Sequence, residues 1–513
     1  MYAEPITDDH GRIALPPYRV ETRPWKREIC FKGWRDIERQ SGRESQMYCS
    51  ARKDRLRANA KDRKPVLFGS AGTKMAVLLL SLASFPVVPL WPNDGIASRV
   101  EEYMHAEMTL NRFRGSILIA RDGKILVSKG YRVVTLKSGV LNTSESRVHV
   151  GSIAMQFTDM AVLQLQEKGA LHVQDSVCEY IKGCPNDWSG ITLFDLMTHT
   201  SGIPEIRNVP DHENSSSRAP TSSELLDLIK KEPLQFRPGE KLDCSYSEDE
   251  VLHAVIEAAS GEPYTTYLDR HIFKPLRMRD TGYDGTLRTP SQPETVSVLL
   301  PSDIERSLLY TAGGLYSTVK DLYFWDCALA TDKVISQESL QQMFTPYRDG
   351  YGFGWMVQKQ LGRRLVTQGD GIRMYSTSIL RYPDDDVCVI VLSQSETTDA
   401  EKVSKDIAAI LFGDHYELPM KHKVVTLDPA SYDGYVGRYT LAPNFVLTVT
   451  KDVDRLMIQG TGQAKIEILP ESETVFSIKG ADTKINFIKI SNGRATQLIL
   501  QQGGRDIPAA RIN

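Results

Sequence analysis

Strand signals stand on both sides of a long stretch that reads as helix, and strands so separated form one sheet only if the chain returns to close it. Between Gly115 and Gly130, apolar runs flank Asp122-Gly123, a dipeptide that accepts the positive φ values of a tight hairpin turn. Strand signals return at 365–367, 376–382 and 387–393. Between them, residues 193–280 are rich in helix, with helices predicted over 222–231 and 248–260 and a polar, Ser-rich loop over 204–220. A further helix is predicted over 152–168, its apolar Phe157, Met160, Ala161, Val162, Leu163 and Leu165 forming a buried spine and Gly169 stopping it. The expected fold is α/β (α+β): an antiparallel sheet flanked by helices, carrying an inserted all-helical lobe.

Past Leu418-Pro419 the period changes to short alternating strands separated by turns, at 437–439, 445–450, 455–459, 474–478, 484–490 and 496–501. This predicts a small all-β domain, a sandwich or barrel, over 420–513. A chain of 513 residues exceeds the size at which single cores stop growing, in keeping with more than one domain. Aromatics such as Tyr435, Tyr439 and Phe445 either pack the core of that domain or line a ligand site.

Charge divides the chain differently. Residues 1–74 carry 17 Lys and Arg against 10 Asp and Glu, while the remainder is acidic by ten. An acidic body argues against nucleic acid as partner. The basic tail has no helical or strand period and reads as flexible, or as lying upstream of a true start at Met75. It leads into an uncharged apolar run over 75–91, the order of an export signal. That run is short for a membrane span of roughly 20 residues, and Pro86 and Pro89 break a helix there. It reads as a cleaved signal, as an anchor, or as a buried helix. The first two predict an exported protein, periplasmic, secreted or held at a membrane only through 75–91. Seven cysteines do not make a disulfide scaffold. Cys178 and Cys184 bracket a turn that a bridge spans, with two buried thiols as the alternative. Neither cysteines nor histidines cluster with metal-ligand spacing, so no metal or other cofactor is expected.

Six motifs then occur in order: Ser152 followed by Phe157-Thr158; Leu196-Met197-Thr198-His199-Thr200-Ser201-Gly202-Ile203-Pro204; Phe236-Arg237-Pro238-Gly239; Phe273-Lys274-Pro275-Leu276; Thr311-Ala312-Gly313-Gly314-Leu315-Tyr316-Ser317; and Tyr351-Gly352-Phe353-Gly354-Trp355. Together they resemble the class C β-lactamase and penicillin-binding-protein-like serine hydrolases over residues 95–415. Tyr435-Val436-Gly437-Arg438-Tyr439 resembles the small barrel often appended to them. The resemblance implies a cleft between sheet and helical lobe in which a serine attacks an acyl carbonyl. A lysine and a tyrosine manage its proton, an asparagine holds the substrate amide, and a His-x-Gly strand closes the oxyanion site.

Transferred residue by residue, the resemblance makes Ser152 the nucleophile and puts Met155 at the lysine position. Residues three apart share a helix face, but a thioether is a weak acceptor and cannot hold the serine's proton. Cys244 falls at the tyrosine position and Tyr246 at the asparagine; Glu248 and Asp249 then place acid on the pocket wall. Counting back from Tyr375, Gln368 takes the histidine position, Gly369 the middle, and Asp370 the glycine, where a carboxylate repels an oxyanion. Cys244 is a poor substitute nucleophile, because neighbouring acids raise a thiol's pKa. His253 reads as a packing or surface residue, and the His199 segment as structural.

Three functions follow as expectations. The first is an impaired hydrolase, a pseudoenzyme that keeps a cleft for a small acyl, ester or peptide ligand. The second is an active esterase, amidase or D-peptidase using Ser152 with an unconventional base. The third is an interaction module acting through the C-terminal barrel.

Overall fold

The computed structural model describes residues 93–513 except 134–140, 207–220, 284–313, 373–374, 396, 420–423, 443–444, 462, 464, 479–482, 490–492, 503–504 and 513, together with the paired segments Ile6–Thr7 and Ile13–Ala14. The 75–91 run and nearly all of the basic tail lie outside the described residues. Among those described, no helix is long and apolar enough to cross a membrane.

Helix α1 (Asn93–Thr109) precedes the hairpin β1 (Gly115–Arg121) and β2 (Lys124–Tyr131). After the short β3 (Val148–His149), a 3-10 turn over Gly151–Ala154 runs directly into α2 (Met155–Glu167). The helical lobe contributes α3 (Leu193–Met197), α4 (Ser222–Ile229), α5 (Tyr246–Ser260) and α6 (Tyr264–Leu268). Then come β4 (Gly282–Tyr283), β5 (Leu315–Ser317), α7 (Val319–Ala328) and α8 (Gln337–Met343). Strands β6 (Met356–Gln360), β7 (Arg363–Ile372), β8 (Tyr375–Tyr382) and β9 (Val387–Ser393) follow, and α9 (Ala400–Phe412) ends this part.

The main sheet has the order β2-β1-β9-β8-β7-β6, and its pairings are antiparallel. The late strands therefore add to the early hairpin as expected. β1 and β9 read as uninterrupted apolar runs because both faces are covered. Ile117, Ile119, Val389 and Val391 pack with Val100 and Tyr103 of α1 and Ile407 of α9. The alternate residues Leu118, Ile390 and Leu392 join Phe157, Trp325 and the helical lobe. A pleated strand sends successive side chains to opposite faces, so each face owns half of the run.

α2 is apolar on more than one side. Every residue from Met155 to Leu165 is buried, including Gln156, Thr158, Asp159 and Gln164, so polar side chains must find partners inside. Gln156 Oε1 accepts from Trp325 Nε1 at 2.8 Å, and Thr158 meets the Tyr264 hydroxyl at 2.8 Å. Another buried contact ties sheet to helix: Arg381 Nε of β8 lies 2.6 Å from Asp326 Oδ1 of α7. Arg381→Met should destabilise the protein by about 3–5 kcal/mol, because it strands a buried carboxylate, and pairing it with Asp326→Asn should recover much of that loss. Urea unfolding of the three variants measures both values, and equal stability of single and double variants would contradict the account.

Cys178 and Cys184 are bridged, with Cα atoms 5.3 Å apart. The C-terminal strands close into an eight-stranded barrel, β10 (Gly437–Ala442), β11 (Phe445–Asp452), β12 (Arg455–Gly460), β13 (Ile466–Pro470), β14 (Val475–Ile478), β15 (Lys484–Lys489), β16 (Ala495–Gln502) and β17 (Arg505–Ile512). Two of these strands are absent from the sequence reading. β17 contains Pro508, which normally argues against a strand, yet it pairs with both β16 and β10 and closes the barrel. Tyr435 and Tyr439 are fully buried in the barrel core, where the Tyr439 hydroxyl donates to the Tyr435 carbonyl at 2.7 Å; these two pack and do not line a ligand site.

Candidate active site

Ser152 is the second residue of the 3-10 turn that opens α2. Gly151 enters that turn at φ +56°, and a Cβ there would stand 2.3 Å from Asp370 Oδ2. Glycine at this position therefore admits a side chain from the sheet. Asp370 lies on β7 opposite Thr377 of β8, and the Thr377 hydroxyl donates to the Val150 carbonyl at 3.0 Å, pinning the turn against the strands.

The Asp370 carboxylate occupies the space so created. Its Oδ2 accepts the Ser152 backbone N–H at 2.7 Å and the Ser152 Oγ–H at 2.9 Å. The Tyr246 hydroxyl donates to the same oxygen and stands 3.2 Å from Ser152 Oγ. A carboxylate over the first amides of a helix is favourably placed, since unpaired N–H groups make that end positive. From a distant strand, Asp370 thus caps the 3-10 turn that leads into α2.

Tyr246 is the first residue of α5, which Ser245 caps by accepting from Ser247 N at 3.1 Å. Its own N–H donates to Glu205 Oε2 at 3.0 Å, and its ring is buried with the hydroxyl toward Ser152. A phenol therefore does reach the serine, from two residues beyond the position the motif assigns. Cys244, at that position, has no hydrogen bond to Ser152. Although the residue is exposed, desolvation of its sulfur, then the charges of Glu248, Asp249 and Asp243, raise its thiol's pKa above the ordinary value, so it is not a thiolate at neutral pH.

Met155 is buried, its sulfur 3.8 Å from the Tyr351 hydroxyl. Tyr351 stands in the loop carrying Gly354, whose φ of +70° and absent Cβ let the loop backbone pack on Gln156. Gln368 points the same way along β7 as Asp370, but its amide donates to the Gly354 carbonyl at 3.4 Å, and it bonds no part of Ser152. Gly369 is constrained by the fold, since a Cβ there would meet the Thr377 carbonyl at 2.5 Å.

Glu248 and Asp249 depart from expectation. They do not line the pocket wall but lie inside, 1% and 2% exposed. Glu248 bonds His199 Nδ1 and accepts the Ser201 Oγ–H at 2.5 Å, while His199 Nε2 meets the Tyr351 hydroxyl at 3.1 Å. Burial works against a charged His199, but the Glu248 carboxylate outweighs it and holds the imidazole's pKa above its ordinary value. The His199 segment is thus structural, as its sequence reading has it. His253 is a packing residue, stacked on Tyr264 with centroids 3.7 Å apart. The sequence reading did not connect Asp370 with Ser152, and no local signal joins residues 218 apart.

The family model described as Beta-lactamase matches residues 97–413. The chain belongs to the β-lactamase family. A second model, a domain of unknown function (DUF3471), matches residues 421–510. Penicillin-binding protein 4* of Bacillus subtilis (strain 168) is 29% identical over 435 residues, covering 78% of this chain and 95% of its own length. The putative penicillin-binding protein PbpX of the same organism is 35% identical over 257 residues, covering 48% of this chain and 62% of its own. The octameric penicillin-binding protein homologue from Pyrococcus abyssi superposes with a TM-score of 0.53 at 22% identity, over 80% of this chain and 99% of that one. These likenesses establish the β-lactamase and penicillin-binding-protein fold of a serine hydrolase, with a C-terminal barrel.

Chemically, this β-lactamase-family site has a serine hydroxyl, a helix-terminal amide and a phenol within reach of one another, as acyl transfer needs. Among the described residues no lysine or histidine bonds Ser152. Asp370, which accepts its proton, also covers the backbone N–H that would donate to an oxyanion.

Proposed function

We propose that this β-lactamase-family chain is an exported protein whose acyl-transfer step at Ser152 is blocked, and whose cleft binds a small acyl, ester or peptide ligand without turning it over. Residues 95–415 form the hydrolase-like part in this reading and 420–513 the appended barrel, with 75–91 directing export. The observation that carries it is the single Asp370 oxygen that takes the Ser152 N–H, the Ser152 Oγ–H and the Tyr246 O–H. Covering an oxyanion donor costs about 10² to 10³ in rate. Losing an acid or base costs about 10² to 10⁴. Met155 at the lysine position and Gln368 turned to Gly354 support both losses.

The same geometry favours one competing reading. Ser152 Oγ lies 2.9 Å from Asp370 Oδ2, so the carboxylate could serve as the unconventional base of an active hydrolase. It would then have to leave the Ser152 amide while keeping the hydroxyl, because the oxyanion needs that amide at the same moment. Incubation with a fluorophosphonate or a reactive β-lactam, followed by intact mass measurement, separates the two. The blocked site predicts negligible adduct over hours, and rapid stoichiometric labelling lost in Ser152→Ala establishes the active one.

A further inference from the structure

Behind Ser152 and Tyr246, on the buried sides of α2 and α5, lies a concentration of ionisable groups that acyl chemistry at Ser152 does not use. Asp159 enters from α2, His199 from the segment after α3, and Glu248, Asp249, Glu250 and His253 from α5, each at most 4% exposed. Tyr264 of α6, Tyr283 of β4 and Tyr351 before β6 face them from the other packed elements, with Glu205 and Cys244 acting from the cleft side. His199 pairs with Glu248, but His253 Nδ1 is 3.6 Å from Glu250 Oε2, beyond a hydrogen bond. Asp249 Oδ2, both Glu250 carboxylate oxygens and His253 Nε2 are buried with no hydrogen-bond partner among the described residues. No lysine or arginine among the described residues is ion-paired with any of these carboxylates.

We propose that this cluster is a pH-operated latch on the cleft: with Asp159 and Asp249 protonated, α2 and α5 pack and Tyr246 reaches Ser152; with both ionised, the helices are driven apart and that contact is lost. The lever is short. Asp159 lies on the helix that the Ser152 turn runs into, about one turn past its start at Met155, and Asp249 less than one turn beyond Tyr246 on the other. Burial is the first cause that holds both carboxyls in the neutral form above the usual range, Asp249 up to about 7; at Asp159 the charges of Asp249 and Glu248 add to it, and at Asp249 His199 and His253 oppose it while Glu248 and Glu250 add to it. Protonation of Asp249 therefore changes near neutrality and not in strong acid. The latch rests on the reading of the Ser152 cleft as the functional site, but the two can fail separately.

Hydrogen–deuterium exchange on the full chain at pH 5.5 and pH 8, corrected for intrinsic rates, tests it with α9 as internal reference. Opening of the first half of α5 should be at least tenfold more frequent at pH 8 than at pH 5.5 relative to α9. Asp249→Asn should abolish that difference, and Asp159→Asn should reduce it and serves if the first variant fails to fold. Equal protection of α5 at both pH values, or an undiminished difference in the variants, overturns the latch. Fluorophosphonate labelling of the same samples reports on the blocked site independently: fast adduct formation at Ser152 would remove that reading whatever the exchange data show.

Discussion

Asp370→Gly combined with Met155→Lys should raise the rate of fluorophosphonate labelling at Ser152 by about 10² to 10⁴ over the unchanged protein. Each substitution supplies what the other lacks. Removing the carboxylate uncovers the Ser152 amide and frees the Tyr246 hydroxyl, but leaves no base at position 155. An amine at 155 is three residues from Ser152, on the same face of the turn, and buried like Met155; burial holds it in the neutral form that can accept the serine's proton. With Asp370 in place, however, the oxyanion would still face a carboxylate. Groups that act as a unit are not additive, so each single variant should fall far short of half the logarithmic gain of the pair. Asp370→Gly also removes the cap of the 3-10 turn ahead of α2, at a cost of about 1 kcal/mol, which leaves the fold intact. Time-resolved intact mass measurement reads the rate. A double variant no faster than the parent would contradict the blocked-site reading.

Stability should fall between pH 5 and pH 8 by about 3 kcal/mol more in the parent than in Asp249→Asn. Burial is the main cause that raises the Asp249 carboxyl from 3.8 to about 7; the Glu248 and Glu250 carboxylates raise it further, while His199 and His253 oppose them. A carboxyl whose folded pKa lies above its unfolded value binds its proton more tightly when folded. Its stabilisation is complete below about pH 4 and is lost as pH rises through 7, the reverse of the ordinary acid denaturation of paired carboxylates. Asp159, raised in the same direction, should act alike. Urea midpoints across the range, with the slope checked for constancy, give the comparison. Parallel curves for parent and variant would mean that Asp249 is solvated in the folded protein.

Much of the fold was legible because its signals are local or repetitive. The Asp122-Gly123 hairpin, the doubly buried runs of β1 and β9, and the alternating strands after Leu418-Pro419 follow from turn chemistry and side-chain period. The limits have physical causes too. β7 runs from Arg363 to Ile372, although only 365–367 reads as strand, because the Gly-Asp-Gly segment is held by pairing with β8 and not by propensity. β17 was hidden by Pro508, tolerated where closure supplies partners on both sides.

The site divides along the same line. That position 155 holds a thioether, and which positions the resemblance aligns with Cys244, Gln368 and Asp370, is a matter of residue identity and order. Spacing along one chain was enough for that. That Tyr246 supplies the phenol, that Glu248 and Asp249 turn inward, and that Asp370 lies on the Ser152 amide depends on the approach of α2, α5 and β7. Hydrogen bonds of this kind have a reach of about 3 Å, while the residues they join lie 94 and 218 positions apart. Only packing of the sheet against the helical lobe brings them within that reach, because no local periodicity joins a turn, a helix and a strand so far apart in sequence.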